Sequence, residues 1–428
     1  MKRQLVLFSA IAAASMMFSS NLKAVTPDKD SVKHKAQVEE ILKNMSVRQK
    51  VAQLFIIDIS RNPSEHTKAR QETLIKDYGV GNLIIMRGSI YEFIERVNYL
   101  QTLARIPLLV ATDAEWGAAM RFSEYLSYPR QAQLGRIEKG AEKLLYKMGR
   151  NVGKELKDLN IFVNYAPVAD VSDRDVAAFS QRSFGPDPKQ ISVLATAYMK
   201  GMQDEGIYAC GKHYPGHAGT KVDAHLATPL LTQSRAYMDT VDMYPYFNMF
   251  ANGLEMVMVG HYSIPAIDSS RIPMSISPIL INKVLRGEHG FKGVVITDAV
   301  AMKGLTNESR GPVEASLCVY KAGADMILMT DKPKECIEAI TQKVENGEWS
   351  MDELDSKVRK VLILKARAGF LEKGFNPQVK NLGRKIEAAR KRDYRLIKRM
   401  QRKMLKSTKP YIGPTGEDRT LILDKAGK

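Results

Sequence analysis

Eight short apolar runs, spread along most of the chain, constrain its fold more than any other feature. They occupy residues 54–59, 82–86, 107–111, 161–166, 206–210, 256–259, 293–296 and 324–329. Most are rich in Val and Ile and are bounded by Gly, Pro or polar residues. Between them lie amphipathic stretches such as 90–104, 137–159, 190–203 and 313–321. A continuous apolar run has no polar face to offer water, so it suits a strand buried on both sides, as in a parallel sheet. Parallel neighbours need long crossovers, usually helices. Eight such units in roughly 280 residues predict a (β/α)8 TIM barrel. A doubly wound open sheet is the second reading, but no glycine-rich phosphate fingerprint follows the first run. No internal repeat is visible.

The 428 residues carry a net charge of +17, which raises the question of a nucleic-acid partner. The distribution argues against one. Residues 376–428 hold 16 Lys and Arg against 5 Asp and Glu, so that tail alone supplies +11. Its segment 382–405 has helical period and predicts a basic helix, either a solvated face or a dock for an anionic cell-envelope polymer. Residues 1–24 read as a secretory signal peptide: Lys2 and Arg3, an apolar run from Leu5 to Phe18, then small residues up to Ala24. That run is too short for a comfortable membrane span. The expectation is therefore a periplasmic or secreted protein, with no transmembrane segment once the signal is removed. Residues 25–35 read as a linker, 36–370 as the barrel domain and 371–428 as a basic helical tail. Ser46 is placed to cap a helix beginning at Val47. Three cysteines, Cys210, Cys318 and Cys336, make no disulfide framework; one bridge among them is left open.

Active sites of such barrels lie where the strands end. Asp113 and Glu115 follow the third run, Asp170 and Arg182 the fourth, Lys212 and His213 the fifth, His261 the sixth, Asp298 the seventh, and Thr330 with Asp331 the eighth. The densest stretch is 210–230, CGKHYPGHAGTKVDAHLATPL, with three of the seven histidines, His213, His217 and His225. It breaks at Pro215-Gly216 without helical period, so it reads as a strand end opening into a long polar loop. Strand ends are polar in any protein because loops are. Titratable residues at six ends together point to catalysis. The histidines lack the compact spacing of a metal site, and no metal or cofactor is expected.

Lys212-His213-Tyr214-Pro215-Gly216-His217, followed by Asp223-Ala224-His225, resembles the K-H-F/Y-P-G-H-G … D-S-H loop of family 3 glycoside hydrolases of the β-N-acetylglucosaminidase type. Other stretches match in the family's order: 45–54 (MSVRQKVAQL), 113–122 (DAEWGAAMRF), 164–170 (NYAPVAD), 182–188 (RSFGPDP), 260–268 (GHYSIPAID), 291–304 (FKGVVITDAVAMKG) and 322–328 (AGADMIL). Long, ordered agreement is far more specific than one short motif. The resemblance implies a retaining exo-glycosidase that releases terminal β-N-acetylglucosamine from peptidoglycan fragments or chito-oligosaccharides. It implies Asp298 as nucleophile and His225 as acid and base, oriented by Asp223. Asp113, Arg121, Arg182, Lys212 and His213 would hold the sugar.

Each residue also has a plainer reading. Asp298 reads equally as the N-cap of a helix over 299–303. Asp223 and His225 read as a structural hydrogen bond within a loop, and Trp116 as core instead of a sugar-stacking ring. Trp116, Ala118, Ala218, Ala224 and Ala299 depart from the family's pattern; none removes a catalytic group, and together they point to an altered pocket rim. A broader exo-hydrolase such as a β-glucosidase is one competing reading, although members of that kind lack the P-G-H … D-x-H loop. A catalytically inactive sugar-binding barrel is the other.

Overall fold

The computed structural model describes residues 29–59, 63–172, 181–216 and 228–407. Eight parallel strands form in chain order: β1 Phe55–Ile59, β2 Asn82–Ile85, β3 Leu109–Thr112, β4 Val163–Asn164, β5 Tyr208–Tyr214, β6 Met256–Val259, β7 Val294–Thr297 and β8 Ile327–Leu328. Neighbours in sequence are neighbours in the sheet from β1 to β7, and β8 pairs with β1. A parallel bridge between Ile296 and Met326 joins β7 to the approach to β8. The ring therefore closes as the expected (β/α)8 barrel, and closure removes the edges on which strands of other chains add. Val, Ile and Leu fill the strands and are almost wholly buried, as strands covered on both faces require.

The apolar runs and the strands agree to within a few residues, with one exception. β5 continues past Cys210 to Tyr214, so Lys212 and His213 lie inside a strand and not in the loop that their polarity suggests. Both are buried, and both meet carboxylates from neighbouring strand ends, described below. The pairing of β5 with β6 shifts register between Lys212 and Tyr214. Such a bulge re-aims side chains at a barrel rim.

Local signals act as their chemistry predicts. Ser46 and Gln49 form a reciprocal capping box that starts helix Val47–Ala52. Helix Lys29–Lys43 begins inside the stretch read as a linker. Helix Leu382–Met404 is not a free tail: it buries Ile386, Ala389, Leu396, Ile397 and Met400 and lies along helix Ala141–Asp158. Cys210, Cys318 and Cys336 are all free thiols. Among the described residues, no helix is long and apolar enough to cross a membrane. The signal-like residues 1–24, the departures Ala218 and Ala224, and three residues singled out above, His217, Asp223 and His225, lie outside the described residues, as does the chain beyond 407.

Candidate active site

The third strand ends at Thr112, and the chain turns sharply through Asp113-Ala114-Glu115-Trp116-Gly117. Gly117 has φ 93°, and a Cβ there would stand 2.9 Å from the Tyr128 ring, so only glycine fits this turn. The short 3-10 helix Ala118–Met120 then brings Arg121 back onto Asp113, whose Oδ2 accepts from its guanidinium. Lys212 reaches across from β5. Its Nζ lies 2.6 Å from Asp113 Oδ1 and 2.9 Å from Glu115 Oε1. Arg182 closes the row with a two-pronged grip on Glu115, Nε to Oε2 at 3.0 Å and Nη2 to Oε1 at 2.7 Å.

The result is an alternating row, Arg121–Asp113–Lys212–Glu115–Arg182, of three cations and two carboxylates. Burial alone would raise the pKa of Asp113, but Lys212 and Arg121 outweigh it and hold the group below the ordinary aspartate value. Glu115 is likewise held well below its usual range, by Arg182 and Lys212 against its own burial. Burial pushes the Lys212 ammonium down, and the two carboxylates more than offset it. Asp113, Glu115 and Lys212 are therefore charged at neutral pH, and the guanidinium forks are fixed before any sugar arrives.

A second cluster faces the end of β7. The Asp298 amide donates to Val259 O at 2.9 Å, which continues the β6–β7 ladder. Its Oδ1 accepts from Ala299 N at 2.8 Å. The next helix is Lys303–Thr306, whose N-cap is Met302, so Asp298 caps no helix and that alternative falls. Burial would raise Asp298, but His213, His261 and the Ala299 amide together hold it below the ordinary aspartate value. His213 is fixed from two sides by Asp170, whose Oδ2 lies 2.7 Å from Nδ1 and whose Oδ1 accepts the His213 amide at 3.1 Å. His261 is fully buried, with Nε2 3.1 Å from Ala299 O and Nδ1 2.6 Å from Ser275 Oγ. The carbonyl needs a donor, so the hydrogen-bond pattern assigns the proton to Nε2. Burial lowers the pKa of His261 and keeps the ring neutral.

The structure thus brings together Asp113, Arg121, Arg182, Lys212, His213 and Asp298 at the C-terminal ends of β3, β5 and β7 and on the loops that follow β3 and β4. Glu115, Asp170 and His261 join them as partners that the sequence reading noted at strand ends but did not place in the site. The signal available for each was its position just beyond an apolar run. Trp116 is core: it is buried, with the Arg130 guanidinium 3.5 Å above its ring. Gly216 follows β5 with φ 121°, and a Cβ there would meet that of Asp242 at 2.6 Å. Glycine is therefore required where the chain leaves β5 toward residues 217–227. Among the described residues, no three His, Cys, Asp or Glu side chains are grouped to hold a metal ion.

A sequence profile of the glycosyl hydrolase family 3 N-terminal domain matches residues 46–364. The chain is 31% identical over 263 residues to a β-hexosaminidase of Nitrosospira multiformis, spanning 60% of this chain and 74% of that one. It is 31% identical over 277 residues to a β-hexosaminidase of Neisseria meningitidis serogroup B, spanning 62% and 75%. Among solved structures, it resembles a family 3 β-N-acetylglucosaminidase from Paenibacillus with a TM-score of 0.73 at 28% identity, over 84% of this chain and 69% of that one. It also resembles a β-N-acetylhexosaminidase from Beutenbergia cavernae with a TM-score of 0.67 at 25% identity, over 74% and 98%. With the match running through all eight strands and both charged clusters, the chain belongs to glycosyl hydrolase family 3 and is a glycoside hydrolase.

Proposed function

We propose that this protein is an exported, retaining exo-β-N-acetylglucosaminidase acting on peptidoglycan fragments or chito-oligosaccharides. The observation that carries the reading is Asp298, fixed at the mouth of β7 by its amide on Val259 O and by the Ala299 amide on its carboxylate. A carboxylate so placed can attack the anomeric carbon of a bound sugar and form a glycosyl ester. Asp113 takes two hydroxyls of the terminal sugar, while Arg121, Arg182, Lys212 and His213 donate to its hydroxyls and acetamido oxygen. Glu115 and Asp170 hold those donors in position. His225 gives its proton to the leaving oxygen and takes one back from the attacking water, with Asp223 fixing the ring. The β-hexosaminidase relatives and the P-G-H … D-x-H loop support N-acetylglucosaminides over glucosides.

A panel of chromogenic β-N-acetylglucosaminides, β-glucosides and β-xylosides tests the substrate class, with folded Asp298→Asn as the blank. The N-acetylglucosaminide is expected to be cleaved fastest, the sugar released first as the β-anomer, and the variant to be inactive. Preference for the glucoside, or an α-anomer released first, would overturn the reading. Export is tested separately: N-terminal sequencing of the native protein should find a chain starting near Val25.

A further inference from the structure

Helices Ala141–Asp158, Pro188–Gln203 and Leu382–Met404, with Asn248 and Asn252 at the end of Tyr244–Ala251, line an open groove of about 630 Å3 on the outer wall of the barrel. Lys143, Lys147, Lys200, Arg399 and Lys403 converge on it from three different helices, against the single carboxylate of Glu142. Several cations elsewhere on the surface are paired, as Arg150 is with Glu205, Arg235 with Glu288 and Arg359 with Glu39. Lys143, Lys147 and Arg399 have neither an ion pair nor a hydrogen bond among the described residues. Like charges gathered around a concave surface repel one another and focus a positive field outward, which an anion relieves. The same helix extends the track with Arg395, Lys398 and Arg402 around the half-exposed Tyr394.

The direction of the track matters. Helix Leu382–Met404 runs antiparallel to Ala141–Asp158, since Lys385 Nζ donates to Asp158 O at 2.7 Å and Lys403 Nζ to Lys139 O at 3.3 Å. A helix that leads from β3 to β4 starts at the C-terminal face of the barrel. The basic end of the last helix therefore rises to the face that carries Asp113 and Asp298.

We propose that this groove is a second binding site, for an anionic polysaccharide strand whose end is presented to the catalytic face. A lipid surface asks for a face tipped with apolar side chains, whereas among the described residues this helix exposes one large apolar side chain, Tyr394, with Leu405 just past its end. A nucleic acid is gripped by cations spread along a basic stripe; here five cations from three helices line one concave groove together with Asn248 and Asn252, whose amides suit sugar hydroxyls. The choice of a glycan rests on the glycosidase reading above. Binding is measured without turnover, so a protein that binds but does not cleave would sink that reading and leave this one standing.

The probe is polygalacturonate, a carboxylate-bearing polysaccharide, with neutral dextran, a DNA duplex and phosphatidylglycerol vesicles alongside. Polygalacturonate should bind the full chain with an affinity that falls steeply with salt, and dextran should not bind. Lys143→Gln/Lys147→Gln/Arg399→Gln should weaken that binding about ten-fold or more at equal salt, with the melting temperature and turnover of a small chromogenic N-acetylglucosaminide unchanged. Lys147→Glu alone, a single exposed change, should weaken it in the same direction if the triple variant folds poorly. Equal binding by both variants and the wild type would overturn the site. Tighter binding of the DNA or the vesicles would overturn the choice of partner.

Discussion

Glu115 has no contact with solvent, and its two oxygens are taken by Arg182 and Lys212. Glu115→Gln keeps the shape but removes one of the two carboxylates that the row sets among three cations, of which Lys212 is buried. Breaking a buried pair from one side costs about 3–5 kcal/mol, because the remaining charge is left uncompensated. The expected outcome is a clear fall in the guanidinium midpoint together with a raised KM, since Arg182 loses the fork that aims it. An unchanged midpoint would mean that Glu115 is held neutral. His225 calls for a different experiment. If it is acid and base, His225→Ala should lose ~10²–10⁴-fold on natural disaccharides. It should still form the glycosyl-enzyme from a dinitrophenyl substrate, with a burst and slow turnover. Equal losses on both substrates would rule out acid/base work. At this scale the sequence exposed each charged residue beyond a strand, but not its partner. Asp113 and Lys212 are 99 positions apart, and Glu115 and Arg182 are 67. No local pattern encodes such a distance.

Among the elements, β5 shows how pattern reading fails. Lys212 and His213 carry polar side chains, so the sequence reads as leaving the strand at Cys210. In the barrel, Asp113 and Glu115 neutralise Lys212 and Asp170 satisfies the His213 ring and amide; a paired charge can be buried where a lone one cannot. The last helix carries a second case. Asp393 lies fully buried beneath it, accepting from Tyr128 Oη at 2.8 Å. Glu155 faces it from helix Ala141–Asp158 and accepts Ala118 N, on the active-site turn, at 2.9 Å. Glu155 Oε1 and Asp393 Oδ2 are both buried without a donor. Burial first, and then the charge of Asp393, raise Glu155 well above its ordinary value, and one proton shared between the two carboxyls satisfies both oxygens. A raised carboxyl pKa stabilises the fold fully below the unfolded value near ~4.3, and that stability is lost as pH climbs toward the folded value. Glu155→Gln replaces the proton with an amide donor. Its melting temperature relative to the wild type should therefore rise with pH above that point; a difference that stays flat would remove the shared proton.

For the molecule as a whole, Lys365 tilts stability the other way. It is fully buried beneath the barrel, donating to Gln53 Oε1 at 2.7 Å and to Gly81 O at 2.9 Å, and burial pushes its pKa down to about 7. The unfolded chain holds that proton up to about 10.4. The penalty is therefore complete below about pH 7 and fades as pH rises toward the unfolded value, so this group makes stability grow with pH. Lys365→Met removes the titration. Its stability relative to the wild type should be highest at about pH 6 and fall by about pH 9 in denaturant unfolding, while a constant difference would mean that the amine stays charged.

The sequence by itself determined the barrel. Eight apolar runs with helical spacers leave few other ways to bury them, and caps such as Ser46 need only their neighbours in the chain. It also marked the strand ends where chemistry collects. Only the tertiary structure decided which cation meets which carboxylate, that Asp298 caps no helix, that Trp116 is core, and that the basic helix lies against the barrel wall. The reason is range. Period and propensity act over a few residues of backbone, whereas the pairing of buried charges is set by which distant strand ends the closed ring brings within about 3 Å of one another.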